Sequence, residues 1–394
     1  MTDVVLIDGA RTPHGELLGS LTDVSAVALG RTAIDGVLDR TGVDPGAIDW
    51  VGLGNAIQAG IGQVPGRQAV IESGLPDATA TTTINEASGS GVRAIALAAD
   101  RIRAGESALA LAGGMESMTN APWVLPDYRT GRRHGHVTAT DSMIMDSLWD
   151  CTLDVHMGEI AERLVERHAD DPAYDLSREA QDAYALESHR RAARAIEDGV
   201  YDDEIVPVET SNGTVERDEG PRPDSTMEDL AGLSPAFRED GTVTPANASK
   251  LADGAGVALL ASREAAAEHG LEPTAELVDY DVVYRAPDEW NEGVGDVIEG
   301  LLAATDHAVE DIDAFWVNEA FAAQSVYVMQ RLGIPRERMN PRGGAIAYGH
   351  PIGASGGMLV ASLASQFASG DAETGLVGMS QGGGGAIMSL WRAV

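Results

Sequence analysis

Apolar residues along this chain keep two rhythms. Val92, Ile95, Ala96, Ala99 and Ile102 recur at helical spacing, which predicts a helix over 89–104 with one buried face. Between such stretches lie short unbroken apolar runs, Val51–Leu53, Leu109–Ala112, Ala314–Val317 and Leu376–Met379, which read as buried strands. Alternating helix and strand segments predict an α/β class fold, with layered sheets covered by helices. Between roughly residues 120 and 270 the pattern turns polar and charged, with an amphipathic helix around Leu176–Ile196 and a loop-rich stretch at Ser211–Ser225. That region reads as an insertion that covers a site.

Two distant stretches repeat each other. Ser90, Gly91, Gly105 and Gly113 recur as Ser355, Gly356, Gly370 and Gly378, each pair 265 positions apart. Ala33–Leu38 echoes Val297–Leu302, and Ala47–Val51 echoes Asp311–Phe315, in the same order. Ordered matches of this kind predict an internal duplication into two α/β halves. The helix over 355–369 carries no charge and its partner over 89–104 only Arg93, Asp100, Arg101 and Arg103. Helices so apolar belong in an interior, so both are expected centrally.

Composition narrows the functional classes. The chain has 394 residues, 62 acidic against 27 basic, for a formal net charge of −35. Lys250 is the sole lysine; the other basic residues are arginine. Such a surface makes nucleic acid and anionic membranes poor partners, and it is tolerated best where salt screens it. The acid-rich, lysine-poor balance resembles that of proteins from salt-loving archaea. No apolar run approaches the roughly 18–20 residues that span a bilayer, and the acidic start Met1–Asp8 lacks the basic region of a signal peptide. A soluble cytoplasmic protein is expected. The single cysteine, Cys151, excludes an internal disulfide framework and a multi-cysteine zinc site, and its expected role is packing. No metal site is expected.

Glycine supplies 46 residues, gathered around polar clusters. These clusters are Asn85–Gly91, Asn318–Phe321, Gly349-His350-Pro351 and Gly378–Gly385. The first follows a strand-like segment and opens a helix, where unpaired N–H groups and the helix dipole favour developing negative charge. With Asp8–Pro13, Gly113–Met118, His156–Gly158, Thr242–Ser249 and Gly343–Gly356, these motifs make the sequence similar to the thiolase family, the acetyl-CoA acetyltransferases and 3-ketoacyl-CoA thiolases, over nearly its whole length.

The resemblance implies a layered α-β-α-β-α fold with a five-stranded sheet in each half. It divides the chain into an N-terminal half of 1–120 with 250–270, a loop domain of 121–249, and a C-terminal half of 271–394. It implies two-step acyl transfer between acyl-CoA molecules, with coenzyme A as substrate or product, no permanently bound cofactor, and a homodimer or homotetramer with room for an accessory subunit. Family members carry a nucleophilic cysteine and an acid/base cysteine, and here the matching positions hold Ser88 and Ser380. His350 matches the histidine that activates the nucleophile, Asn318 the residue that orders a water, and the N–H groups of Ser88 and Gly382 an oxyanion hole. His156, Met157, Ala248, Ser249 and Phe321 match coenzyme A and substrate contacts. The stretch Val282–Gly295 departs from the family's Met-Gly-Ile-Gly-Pro type sequence, which puts the pantetheine-facing contacts there in doubt. Because a serine hydroxyl is a poor carbon-acid base, a histidine is expected to share the proton transfer of Ser380.

Two other readings are weaker. Gly378–Gly382 and Gly353–Gly357 fit G-x-S-x-G, but no histidine follows His350, so neither serine has the downstream partner that an α/β-hydrolase requires. The alternative in another class is a non-catalytic thiolase-like subunit that binds acyl-CoA or scaffolds a partner. The missing cysteines favour it; the retained His350, Asn318 and glycines oppose it.

Overall fold

The strands pair as the duplication requires. The computed structural model describes residues 2–126, 128–131 and 133–394. In the first half, five strands lie in the order β3 (Ala80–Ile84), β2 (Trp50–Gly54), β4 (Leu109–Ser117), β5 (Ala252–Ser262) and β1 (Val4–Arg11). The second half repeats the order with β7 (Ala314–Val317), β8 (Thr374–Gln381), β9 (Gly385–Ala393) and β6 (Ala275–Tyr284). Strand senses match as well: β2/β4 and β7/β8 are parallel, while β4/β5, β5/β1, β8/β9 and β9/β6 are antiparallel. Even the bulges correspond, falling between Leu6 and Asp8 in β1 and between Leu277 and Asp279 in β6. A bulge in the same place of both sheets is a shared design feature rather than a local accident.

The second half departs from the five-stranded expectation. Its counterpart of β3 shrinks to one parallel bridge between Phe315 and Met339. Beyond it the Asn340 side chain takes over the ladder, its Oδ1 accepting the Val317 N–H at 3.0 Å and its Nδ2 donating to the Val317 carbonyl at 2.8 Å. One amide thus satisfies the edge that another strand would cover. The two sheets touch through Val5–Glu276 and Leu6–Ala275.

Helices build the remaining layers. The central pair, α3 (Ser90–Arg103) and α8 (Ser355–Ala368), lies between the sheets. Their Ile95, Ile102, Leu363 and Phe367 share one apolar cluster with Leu6 and Leu260 of the first sheet and Trp316 and Trp391 of the second. Each such side chain contributes about 1.5–3 kcal/mol on burial. The outer face of the first sheet is covered by α1 (Ala26–Thr41) and α2 (Pro65–Glu72), that of the second by α6 (Trp290–Ala304) and α7 (Ala322–Leu332). Both central helices start with glycine against each other: a Cβ on Gly91 would lie 2.6 Å from the Gly357 nitrogen, and one on Gly356 would strike Val92. Only glycine permits that backbone contact. It brings the loop before α3 up to the loop before α8.

Between Ser117 and Ala252 the chain leaves the sheet, whereas the equivalent step in the second half takes only Gly382–Gly384. Its helices α4 (Met157–Arg167) and α5 (Arg178–Glu197) pack Leu164, Tyr184 and Leu186 into the cluster of the second half, beside Val326 and Tyr327. The excursion of the first half therefore lies over the second and roofs the junction between them. Among the described residues, no helix is long and apolar enough to cross a membrane.

Candidate active site

The junction of the two central helices brings the loop of Ser88 up to the loop of His350. After β3, Asn85 and Ser90 fold the chain into a tight turn: Asn85 Oδ1 accepts the Ala87 N–H at 3.0 Å, and Ser90 Oγ accepts the Glu86 N–H at 2.9 Å while donating to the Ala87 carbonyl at 2.6 Å. Ala87 is forced to φ +51°, a conformation costing an L-residue about 1–2 kcal/mol. Strain of this kind persists where surrounding structure over-determines it, and here it presents the next residue, Ser88.

Ser88 Oγ lies 2.9 Å from His350 Nε2. On the other side of the ring, His350 Nδ1 is 2.5 Å from Ser355 Oγ, whose hydroxyl has the Pro351 carbonyl as acceptor at 3.3 Å. Ser355 therefore receives the Nδ1–H, and the Nε2 lone pair faces the Ser88 hydroxyl. The His350 N–H donates to the Lys250 carbonyl at 2.8 Å. Burial, and secondarily the charge of His14, lower the His350 pKa to about 3, so the ring is neutral across the physiological range. The loop after His350 is fixed by Glu116, which accepts N–H groups from Gly353 at 3.0 Å and Ala56 at 2.8 Å, and the Asn55 amide at 2.6 Å. Burial raises the Glu116 pKa to about 7 against the pull of those bonds.

A cavity of about 70 Å³ opens beside this pair, lined by Ser88, His350, Ser380, Gly382, Met157, Ser249 and Phe321, which the motifs singled out. By the usual allowance of about 10–15 Å³ per water it holds several waters. Ser380, near the end of β8, is 5% exposed, and among the described residues its hydroxyl has no partner in the chain. The Gly382 N–H points to the Glu86 carbonyl at a long 3.3 Å. Ser249 is tied in by its N–H to the Ala320 carbonyl at 3.0 Å.

Three expected residues stand elsewhere. Asn318 lines a second cavity of about 50 Å³ on the far side of His350, together with Ser355, and its Nδ2 is buried without a partner. His156 caps α4, its Nδ1 accepting the Gly158 N–H at 3.0 Å, and its ring stacks on Phe237 at 4.7 Å. Ala248 sits behind the wall, bridged to Phe321. Cys151 is exposed rather than packed, with Sγ 3.9 Å from Met145 Sδ, because the Trp149–His156 hairpin turns it outward.

Other wall residues carried no motif. Leu148 and Asp150 come from the insertion, Lys250 and Leu251 from the approach to β5, and Trp290 from the start of α6. Trp290, within the stretch that departs from the family pattern, leans on Phe321 with ring centroids 6.2 Å apart. Ser355 did have a signal, since it is the repeat of Ser90, and like Ser90 its hydroxyl reaches back to a carbonyl of the preceding loop. Among the described residues, no group of three or more His, Cys, Asp and Glu side chains converges to hold a metal ion.

Residues 4–264 match the family model "Thiolase, N-terminal domain" and residues 271–393 match "Thiolase, C-terminal domain". The chain is 43% identical over 398 residues to an acetyl-CoA acetyltransferase of Pseudomonas aeruginosa, covering the whole of both chains. It is 42% identical over 396 residues to a probable acetyl-CoA acyltransferase of Staphylococcus epidermidis, covering 99% of this chain and 98% of that one. The crystal structure of the Bacillus anthracis acetyl-CoA acetyltransferase superposes with a TM-score of 0.95 at 37% identity, over 100% of this chain and 99% of that one.

Proposed function

The chain belongs to the thiolase family of enzymes, and from that premise we propose that it is an acyl-CoA C-acyltransferase working through an acyl group carried on Ser88. The observation that carries this reading is the 2.9 Å contact between Ser88 Oγ and His350 Nε2, with Ser355 holding the opposite ring nitrogen. A serine is a weak nucleophile until a base takes its proton, and here the base is aligned and neutral.

In the first step Ser88 Oγ attacks the thioester carbonyl, its proton passes to His350 Nε2, and coenzyme A leaves as the thiol with that proton. An imidazole whose pKa is held near 3 keeps a proton only while an anion grows beside it. The oxyanion of the tetrahedral intermediate supplies that charge, met by the N–H groups of Ser88 and Gly382. Gly382 is free to turn to it, since its present bond to Glu86 is long. In comparable sites one such donor is worth about 3–4 kcal/mol.

In the second step a second acyl-CoA loses an α-proton, and its carbanion attacks the ester to give a 3-ketoacyl-CoA while Ser88 regains its hydrogen. His350 takes the α-proton, and Ser380 orients the incoming thioester by hydrogen bonding rather than as a base. Asn318, with a buried unpaired Nδ2 in a cavity of about 50 Å³, anchors water behind the histidine. Met157, Ser249, Phe321 and Trp290 form the wall for the acyl and pantetheine ends, with His156 and Ala248 supporting that wall. Coenzyme A thioesters are the substrates and no resident cofactor takes part.

A cytoplasmic setting rich in salt suits the net charge of −35. Self-association into a dimer or tetramer is supported by the uncovered edge of β3 and by exposed Trp123, Leu125, Tyr128 and Val137 in the insertion.

The test is to incubate the purified chain in molar salt with acetyl-CoA and measure acetoacetyl-CoA and free coenzyme A. Formation of acetoacetyl-CoA by the wild type and its loss in Ser88→Ala are expected. Full activity in Ser88→Ala would move the chemistry to another nucleophile. Binding of coenzyme A without turnover in any form would support the non-catalytic subunit.

A further inference from the structure

We infer that this site also hydrolyses acyl-CoA thioesters, releasing the free carboxylic acid and coenzyme A; this rests on the Ser88 acyl-enzyme proposed above. Three features of the cavity carry the inference. Ser88, His350 and Ser355 are strung along both ring nitrogens at 2.9 and 2.5 Å, an array that activates a hydroxyl nucleophile and serves equally to activate water. The second feature is Ser380, whose hydroxyl lines the same cavity at 5% exposure with no partner among the described residues. The hydroxyl is open to the cavity rather than sealed off, so water there is the partner within its reach. A thiol there would behave as a small apolar group and hold water poorly. The third feature is room, since about 70 Å³ accommodates several waters beside Ser88.

The same surroundings weaken the competing step. Removing an α-proton from a thioester needs a base, and of the ionisable side chains on the cavity wall His350 is the one in contact with Ser88, while Asp150 Oδ1 is held by the N–H groups of Thr152 and Leu153 at 2.8 Å and Ser380 ionises too poorly to serve. Water asks less of His350, and it is far more abundant than any second thioester. The balance is simple. Ser88 Oγ bonds to the acyl carbon, the carbon–sulfur bond breaks, and the serine proton goes through His350 Nε2 to the departing thiolate. Water on Ser380 then bonds to the acyl carbon and gives its proton to Nε2. The ester oxygen of Ser88 leaves with that proton, and the acid departs. No oxidant, metal or second substrate is required.

The experiment follows acetyl-CoA with the full-length chain in molar salt made with heavy-oxygen water. It measures coenzyme A, acetoacetyl-CoA and labelled acetate together, against an enzyme-free blank. We expect labelled acetate, coenzyme A released in excess of acetoacetyl-CoA, and loss of both in Ser88→Ala. Ser380→Cys should lower the ratio of hydrolysis to transfer by roughly tenfold, the worth of one water hydrogen bond. Ser380→Ala should lower hydrolysis by a similar factor, and it checks the effect if the cysteine variant folds poorly. Coenzyme A release that equals acetoacetyl-CoA formation overturns the inference and leaves the transferase reading intact. Hydrolysis that survives Ser88→Ala, or a ratio indifferent to both Ser380 variants, also overturns it. Absence of acylation altogether removes the transferase reading with it.

Discussion

Ser88 and His350 are 262 positions apart in sequence and meet at 2.9 Å, so the central chemistry depends on how firmly each is aimed. Ser355 is the cheapest place to loosen the aim. Ser355→Ala leaves the Nδ1–H without its acceptor and lets the ring adopt the tautomer that turns an N–H toward Ser88. We expect turnover to fall roughly 10- to 100-fold with little change in KM, measured by steady-state kinetics; a wild-type rate would remove Ser355 from the machinery. The depressed pKa of His350 has a stability consequence. The unfolded chain binds the proton near pH 6.5 and the folded chain only near 3, so protons favour unfolding between those values. The contribution is therefore complete above pH 6.5 and is lost as pH falls. Denaturant titration should show the wild type losing about 2 kcal/mol relative to His350→Asn between pH 7 and 5, since 1.5 pH units below 6.5 are worth about that much. Parallel pH dependence of the two proteins would contradict burial of a neutral ring.

At the scale of elements, the contact between α3 and α8 decides whether the two loops reach each other. Alanine in place of glycine usually stabilises a helix by about 0.5–1 kcal/mol. Gly91→Ala should do the reverse and destabilise by about 1–3 kcal/mol in denaturant unfolding, because the new methyl enters the backbone of Gly357. A stabilised Gly91→Ala would mean that the helices are not in backbone contact. Much of this architecture was legible in the sequence. Glycine and serine recurring 265 positions apart announced paired helices, and the apolar runs announced β2, β4, β7 and β8. Ser88, His350 and Ser380 were legible through their glycine-flanked clusters. The rest depended on contacts that no local pattern encodes. Ala87 at φ +51° looks like an ordinary alanine, Leu148 reaches the cavity because the insertion folds across to the other half, and Trp290 because α6 starts beside Phe321. Asn340 replaces a strand by a side chain, so the fifth strand of the second half had no reason to be doubted beforehand.

The whole molecule carries a net charge of −35, and its self-repulsion is felt most where screening is weakest. Raising sodium or potassium chloride from about 0.1 to 1 M shortens the Debye length from about 10 to 3 Å. The melting temperature should rise with that change, and by more than an uncharged osmolyte of equal osmolality raises it. A melting temperature that falls steadily with salt would show that surface ion pairs such as Arg40–Asp8 and Arg238–Glu159 outweigh the repulsion. Sedimentation across the same range should show assembly strengthening with salt, since like-charged subunits repel less when screened. All of these expectations surround one claim, that the acyl group rides on serine. The most direct test is to mix the protein briefly with acetyl-CoA, quench in acid, digest, and weigh the peptides. The account predicts an acetyl increment on the peptide containing Ser88, stable as an oxygen ester at acidic pH and absent from Ser88→Ala. An increment on Cys151 or any other peptide that persists in Ser88→Ala, while acetoacetyl-CoA still forms, would contradict it.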